Sequence, residues 1–122
     1  MIESSYKKTE SVIYVTRTQD VDLKALLSYI KQLDEVYKDL EHLYIVDDLR
    51  ASISKYESKD YPLIIEEIKK RIGQYKEVRI AVLVMTPQDT ALSLLYEQIA
   101  QSVENYNYKT FSTLEAGRNW LK

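Results

Sequence analysis

Apolar residues follow two different spacings along the chain, and the changes of spacing predict where strands and helices alternate. Residues 11–17 are rich in β-branched and aromatic side chains, which favours a strand, and a weaker strand over residues 3–8 precedes it in a hairpin. Residues 43–46 are an unbroken apolar run, and residues 78–85 are apolar except for Arg79. Both stretches are apolar on both faces, a pattern typical of strands covered on both sides. A last short strand is predicted over residues 108–111.

Between these strands, apolar residues recur every three or four positions and so form one stripe on each of three predicted helices. The stripes are Leu23, Leu26, Leu27, Ile30, Leu33 and Tyr37; then Tyr61, Ile64, Ile65, Ile68 and Ile72; then Leu92, Leu95, Tyr96, Ile99, Val103 and Tyr106. A fourth, shorter helix is predicted to end at Trp120 and Leu121.

Residues that favour helix ends flank these stripes. Asp20 is a suitable N-cap for the first helix, and Pro62 fits the first turn of the second. Gly73 is expected to end that second helix in a left-handed conformation. Thr86, followed by a proline, is the predicted cap of the third helix, and the segment from Ser112 to Glu115 has a capping-box pattern.

Strands that alternate with amphipathic helices predict an α/β fold with a mostly parallel sheet and right-handed crossovers. The opening hairpin adds an antiparallel pair, so the sheet is expected to be mixed and to carry about four helices. The chain has 122 residues, which is the size of one domain. We therefore expect a single α/β domain over residues 1–122.

Composition argues against several classes of function. The net charge of −2 gives no basic surplus, so no nucleic-acid partner is expected. The chain has no cysteine, one histidine and two glycines, which leaves no thiol nucleophile, no cysteine metal site and no glycine-rich phosphate loop. The histidine, His42, is predicted at the amino end of a strand, away from the edge where ligands bind. We therefore expect no catalytic residue, no metal site and no cofactor.

Hydrophobic segments of the kind that direct a chain to a membrane are not recognisable. The first eight residues lack the apolar core of a secretory signal. The longest apolar run, residues 80–85, is far shorter than the roughly 20 residues that cross a bilayer. We therefore expect no transmembrane segment and a cytoplasmic location.

Ligands of open α/β sheets bind beyond the carboxyl ends of the strands. Asp48, Arg50 and Thr86 follow predicted strands and are the candidates for lining such a crevice. Asp47 and Asp48 point to opposite faces, so only one can face a given cavity. The two acids could hold Mg²⁺, or one could cap the turn while the other pairs with Arg50. A receiver-type phosphorylation site is not expected, because the later strand ends without a carboxylate.

The third predicted helix offers a second candidate surface. No lysine or arginine occurs between Ile80 and Tyr108, whereas a solvated helix face usually carries both signs of charge. Charged residues are depleted in interface cores, so we predict a contact with a protein partner or a second copy. The candidate residues are Thr90, Ser93, Glu97 and Gln101. Eleven tyrosines are compatible with such an interface or with a tyrosine-rich core.

The order of these elements, together with two short segments, resembles the small bacterial proteins of the STAS-like group. The segments are Val46-Asp47-Asp48-Leu49-Arg50 after a strand and Glu115-Ala116-Gly117-Arg118-Asn119-Trp120-Leu121 at the end of the chain. This group has the fold of the anti-sigma-factor antagonists and is often grouped with CRAL-TRIO-like lipid-binding domains. The resemblance implies a STAS-like fold and a non-enzymatic interaction module.

The resemblance also draws attention to the loop before the second helix. In partner-switching antagonists a serine of this loop, within an Asp-Ser-Ser-Gly-like turn, is phosphorylated to break a complex. The matching loop here contains Ser52, Ser54 and Ser58 but neither that motif nor a glycine. Ser58 is the candidate phosphosite, because a phosphate there would lie near the start of the helix.

Two functions therefore fit the sequence. The first is a cytoplasmic, non-catalytic protein-interaction or regulatory module. The second is a small-ligand or lipid-binding domain that uses the crevice at the carboxyl ends of the strands. A closed, well-packed carboxyl edge would favour the first, and an apolar cavity above about 300 Å³ would favour the second.

Overall fold

The structure, a computed structural model, describes residues 1–122 and consists of one five-stranded sheet and four helices. The elements in chain order are β1 (Ile2–Lys7), β2 (Val12–Asp22), α1 (Leu23–Val36), β3 (His42–Lys55), α2 (Tyr61–Arg71), β4 (Glu77–Leu83), α3 (Pro87–Ala100), β5 (Tyr106–Phe111) and α4 (Leu114–Leu121). The strand order is β1-β2-β3-β4-β5, with β1 antiparallel to β2 and the other pairs parallel. The predicted mixed, mostly parallel α/β sheet is confirmed. None of the four helices is long and apolar enough to cross a membrane.

The sheet is covered on both faces, but unequally. α1, α2 and α3 pack on the side of the sheet that we call the inner face, which includes the fully buried Ile13, Ile45 and Val82. α4 packs on the opposite side, the outer face, where Leu121 contacts a small cluster of Val12, Val46, Ala81 and Leu83. The two central strands, β3 and β4, are therefore buried from both sides, as their apolar runs predict.

α4 lies close to the sheet because it carries a glycine where it faces β4. A Cβ atom at Gly117 would be 3.3 Å from the Ala81 Cβ and 3.3 Å from the Leu83 Cδ2, which is tighter than ordinary van der Waals contact. The helix contacts mainly β3, β4 and β5. One short helix thus covers the outer face of these strands, while the β1 side of that face stays open.

β2 and β3 are longer than the sequence predicts. The loop predicted before the second helix is wrong in its first part, because Ser52 and Ser54 belong to β3, which continues to Lys55. After a register shift between Thr16 and Thr18, the two strands pair as far as Asp22 and Lys55. The predicted N-cap at Asp20 is consequently wrong, since that residue lies within β2, and Asp22 caps α1 instead.

The other helix ends follow the sequence more closely. The Thr86 hydroxyl accepts a hydrogen bond from the Asp89 N–H at 3.1 Å and caps α3, as predicted. α4 is capped by Thr113, one residue after the predicted position, through a 3.2 Å bond from the Ala116 N–H. The left-handed stop at Gly73 is wrong: neither glycine has a positive φ, and α2 passes into a short 3₁₀ turn.

Candidate functional site

A cavity of about 90 Å³ lies between the inner face of the sheet and helices α1, α2 and α3. Fourteen of its nineteen lining residues are hydrophobic, so the wall is mostly hydrocarbon and aromatic ring. Asp89, at the start of α3, lines one end and is half-buried, so the cavity reaches the surface there. The volume equals about three water molecules and is well below the roughly 300 Å³ of an ordinary ligand pocket. The cavity therefore does not reach the size that would favour a lipid or an ordinary ligand, and it suits only a molecule of a few non-hydrogen atoms.

Arg17 and Asp47 form a bidentate ion pair in the cavity wall. Arg17 Nε donates to Asp47 Oδ1 at 3.0 Å and Nη2 donates to Oδ2 at 2.7 Å. Arg17 Nη1 also donates to the Tyr56 hydroxyl at 3.1 Å. The two charged residues are only 6% and 4% exposed. Burial acts to lower the pKa of Arg17, but the attraction and hydrogen bonding of Asp47, together with smaller contributions from Tyr56 and Tyr29, outweigh it and raise that pKa, so the guanidinium stays charged.

Arg17 is not among the predicted site residues, although the alternation of side chains along the two strands could have identified this pair. Arg17 follows Ile13 and Val15 in steps of two along β2, and Asp47 follows Ile45 in the same way along β3. Both charged residues therefore continue a buried series on the inner face. The parallel register sets Val15 opposite Asp47, which brings Arg17 beside the carboxylate. What the sequence alone lacks is proof that β2 and β3 are neighbours.

Tyrosine rings form much of the remaining wall. Burial raises the pKa of Tyr96 to about 12, and burial likewise raises the pKa values of Tyr29, Tyr106 and Tyr108 well above the ordinary value. The hydroxyls of Tyr96 and Tyr106 are hydrogen-bonded at 3.0 Å. These phenols remain neutral near pH 7. They offer hydrogen bonds and aromatic faces to a ligand, not charge.

The crevice candidates Asp48, Arg50 and Thr86 lie at the carboxyl end of the sheet, but none of them lines the cavity. Asp48 faces outward, and Arg50 Nε and Nη2 each donate to its carboxylate at 2.9 Å. These hydrogen bonds lower the pKa of Asp48. The Thr86 hydroxyl is occupied as a helix cap. The carboxylates of Asp47 and Asp48 are thus held by different arginines on opposite faces, which separates the two acids considered for Mg²⁺.

The interface candidates on α3 do not share one exposed surface. Ser93 is 6% exposed and its hydroxyl lies 2.8 Å from that of Thr110 on β5, so its predicted place at a surface is corrected. Glu97 accepts hydrogen bonds from the N–H and the hydroxyl of Thr110 at 3.3 and 3.1 Å. Thr90 donates to a backbone carbonyl of the preceding turn, and Gln101 is exposed. The polar stripe therefore packs α3 against the edge strand.

Ser58, the candidate phosphosite, is exposed in a 3₁₀ turn that immediately precedes α2. Its neighbours include two carboxylates, Glu57 and Asp60, and the Asp60 carboxylate accepts a hydrogen bond from the Glu57 N–H at 3.0 Å. Nearby carboxylates repel a phosphate, whereas the start of a helix attracts one. Phosphorylation of Ser58 stays a prediction.

Comparison with known proteins bears on the fold. No protein-family model and no curated protein matches the chain. Among solved structures, the chain is similar to an uncharacterised DUF3478-family protein with a SpoIIAA-like fold from Shewanella loihica PV-4, with a TM-score of 0.67 and 9% sequence identity. The match covers 100% of this chain and 93% of that one. At this identity the likeness concerns architecture alone: the chain has the SpoIIAA-like, or STAS, α/β fold that its sequence resembles.

Proposed function

We propose that this protein is a non-catalytic module that binds a small molecule in the cavity between the sheet and helices α1–α3. The observation that carries the proposal is the buried pair of Arg17 and Asp47 beside free, mostly apolar volume that reaches the surface. Stability alone does not require such a pair, because well-packed hydrophobic residues in its place are often neutral or stabilising. A few polar groups set into an apolar wall are typical of ligand sites.

The chemistry of the wall favours an uncharged, amphipathic ligand. The Arg17 guanidinium has five N–H groups, of which Asp47 and Tyr56 engage three, so two donors remain. Asp47 neutralises Arg17, and a charged ligand would therefore be buried without a counter-charge, which is costly. A carbonyl, amide or hydroxyl group could accept from Arg17 while a short chain packs against the tyrosines.

The same groups support binding over catalysis. Both carboxylate oxygens of Asp47 accept hydrogen bonds from Arg17, and the tyrosine phenols remain protonated near pH 7 because burial raises their pKa. A general base must be free to accept a proton from a substrate. Neither the carboxylate nor the phenols meet that condition without first losing a partner or a proton.

Acetamide is a suitable probe because it joins one methyl group to an uncharged acceptor and is small enough for a cavity of about 90 Å³. In amide-resolved NMR titrations, we expect saturable shifts at Arg17, Asp47 and Tyr56, and binding of acetate weaker by roughly tenfold or more, owing to its buried charge. Leu92→Trp should abolish these shifts, because Leu92 lines the cavity. Leu94→Trp is the matched control, since Leu94 is 47% exposed on the same helix. Scattered, non-saturating shifts, or equal effects of the two variants, would contradict the proposal.

A second candidate function is partner binding through the exposed side of α3. Leu94 and Leu95 are 47% and 40% exposed, Gln98 and Gln101 are exposed beside them, and no lysine or arginine occurs from residue 80 to residue 108. This surface has the low charge of an interface core. α3 also carries Leu92 in the cavity wall, so a bound ligand and a bound partner would touch the same helix.

Site-specific photo-crosslinking in the native cell tests this second function. A photoreactive residue at Gln98 is expected to capture one defined protein, and Leu94→Lys should abolish the product by placing a charge in the contact. Asn119, exposed on α4 across the sheet, is the matched control position. No product from Gln98, or the same products from both positions, would be evidence against an interface on α3.

A further inference from the structure

The two edges of the sheet differ in how their unpaired backbone groups are covered. At the β5 edge, Glu97 of α3 reaches the strand and accepts a hydrogen bond from the Thr110 N–H at 3.3 Å. At the other edge, β1 is six residues long, and five of its six side chains, all but that of Ile2, are exposed. An uncovered edge strand is a template for pairing with another strand. β1 contains no proline or glycine that would interrupt such pairing.

The hydrogen bonds inside the β1–β2 hairpin show which backbone groups of β1 point outward. The Met1 amino group donates to the Thr18 carbonyl at 2.7 Å, and the Thr18 N–H donates to the Met1 carbonyl at 2.8 Å. Antiparallel ladders alternate, so odd-numbered residues of β1 bond to β2. The N–H and C=O groups of Ile2, Ser4 and Tyr6 consequently point to the free edge.

The charges on β1 favour one register if the β1 edges of two copies of the chain pair with each other. Two copies of β1 can pair in an antiparallel way, with a two-fold axis at Ser5. Ser4 of each chain then lies opposite Tyr6 of the other, and their outward backbone N–H and C=O groups bond to each other. Glu3 of each chain then lies opposite Lys7 of the other. These pairs fall at non-hydrogen-bonded positions, where side chains approach most closely, and opposite charges there are stabilising. The alternative centred on Ser4 sets Glu3 opposite Ser5 and gains no charge pair.

We infer that the β1 edge is a homodimer interface, in which two copies join their sheets into one ten-stranded sheet through antiparallel β1–β1 pairing centred on Ser5. Glu3 and Lys7 are both on the open outer face, and Lys7 is exposed although it also pairs with Glu10 of its own chain at 2.9 Å. An ammonium group has three donors and can serve both carboxylates. The contact is small, so the dimer is weak and forms at high protein concentration.

Sedimentation velocity over a series from micromolar to millimolar protein tests the proposal. The average mass is expected to rise toward that of a dimer. Ser4→Pro removes an outward N–H that the hairpin does not use, so it should leave the fold intact, as circular dichroism would verify, and abolish the rise. Ser4→Ala is the control, because it keeps the N–H and loses only the side-chain contact with Tyr37. A wild-type protein that stays monomeric, or a dimer unaffected by Ser4→Pro, would overturn the inference.

Charge reversal tests the register independently. Glu3→Lys sets lysines opposite each other and Lys7→Glu sets glutamates opposite each other, so each variant alone should raise the dimer dissociation constant by roughly tenfold or more. An equimolar mixture of the two variants restores both attractive pairs and should dimerise like the wild type. Glu41→Lys, at an exposed position outside β1, is the charge control. A mixture that stays as weak as its components would overturn the Ser5-centred register.

Discussion

Arg17→Met is expected to lower the free energy of unfolding by about 3–5 kcal/mol, a large share of the roughly 5–15 kcal/mol of a typical domain. The reason is that Asp47, which is 4% exposed, would keep a buried carboxylate without its counter-charge and without two hydrogen bonds. Methionine resembles the aliphatic part of arginine and leaves little new cavity. Chemical denaturation followed by circular dichroism measures the change.

A second variant distinguishes loss of the partner from loss of packing. Arg17→Met combined with Asp47→Leu removes both charges, so the double variant should regain the wild-type stability or exceed it. Arg50→Met is the matched control, because Arg50 and Asp48 form an ion pair at the same end of β3 but are 37% and 27% exposed. Such partly exposed pairs contribute up to about 1 kcal/mol. Equal losses for Arg17→Met and Arg50→Met would show that burial of the inner pair is unimportant.

The same double variant bears on function. With both charges removed, the cavity keeps its apolar wall but loses the two remaining donors of Arg17. Acetamide binding should therefore weaken in the double variant even though the protein is folded. If the folded double variant binds acetamide as the wild type does, the ion pair is not part of a ligand site.

The sequence predicts those features of the fold that neighbouring residues determine together. Thr86 before a proline is recognisable as a helix cap, because the signal lies within a few residues. For the same reason the mostly apolar stretch over residues 78–85 is recognisable as a buried strand, which the structure places at Glu77–Leu83. The hairpin, the parallel sheet and the coverage of both faces follow from the order of such segments. The resemblance to STAS-like proteins rests on the same order.

Features that depend on contacts between distant segments were missed. Residues 51–55 contain two serines and favour a loop locally. They nevertheless form a strand, because the extended end of β2 lies beside them and pairs with their backbone. Ser93 was assigned to an outer surface because the helical pattern does not reveal that β5 docks against that side. Asp48 rather than Asp47 is predicted to line the crevice for the same reason. Strand alternation shows that the two side chains face opposite sides of the sheet, but it does not show which side holds the cavity.

Alkaline pH is expected to unfold the protein because the tyrosines of the cavity wall cannot ionise in place. A group whose pKa is raised in the folded state stabilises the fold fully below its unfolded pKa, here near 10, and this stabilisation is lost as the pH rises through the folded value. For Tyr96, whose pKa burial raises from 10 to about 12, the loss corresponds to roughly 3 kcal/mol. Tyr29, Tyr106 and Tyr108 add to it, since burial raises their pKa values as well.

Ultraviolet absorbance of tyrosinate and far-ultraviolet circular dichroism, followed along one pH series, measure this coupling. We expect the accessible phenols to ionise near pH 10 without loss of structure, and the buried ones to ionise at higher pH in a single step together with unfolding. Combining Tyr96→Phe with Tyr106→Phe removes both partners of one hydrogen bond, so stability at neutral pH should change little while alkaline unfolding moves to higher pH. Tyr6→Phe, at a 37% exposed position, should leave the unfolding pH unchanged. If all eleven tyrosines ionise together near pH 10 while the circular dichroism stays constant, the tyrosine wall is open to water and is not the buried wall described above.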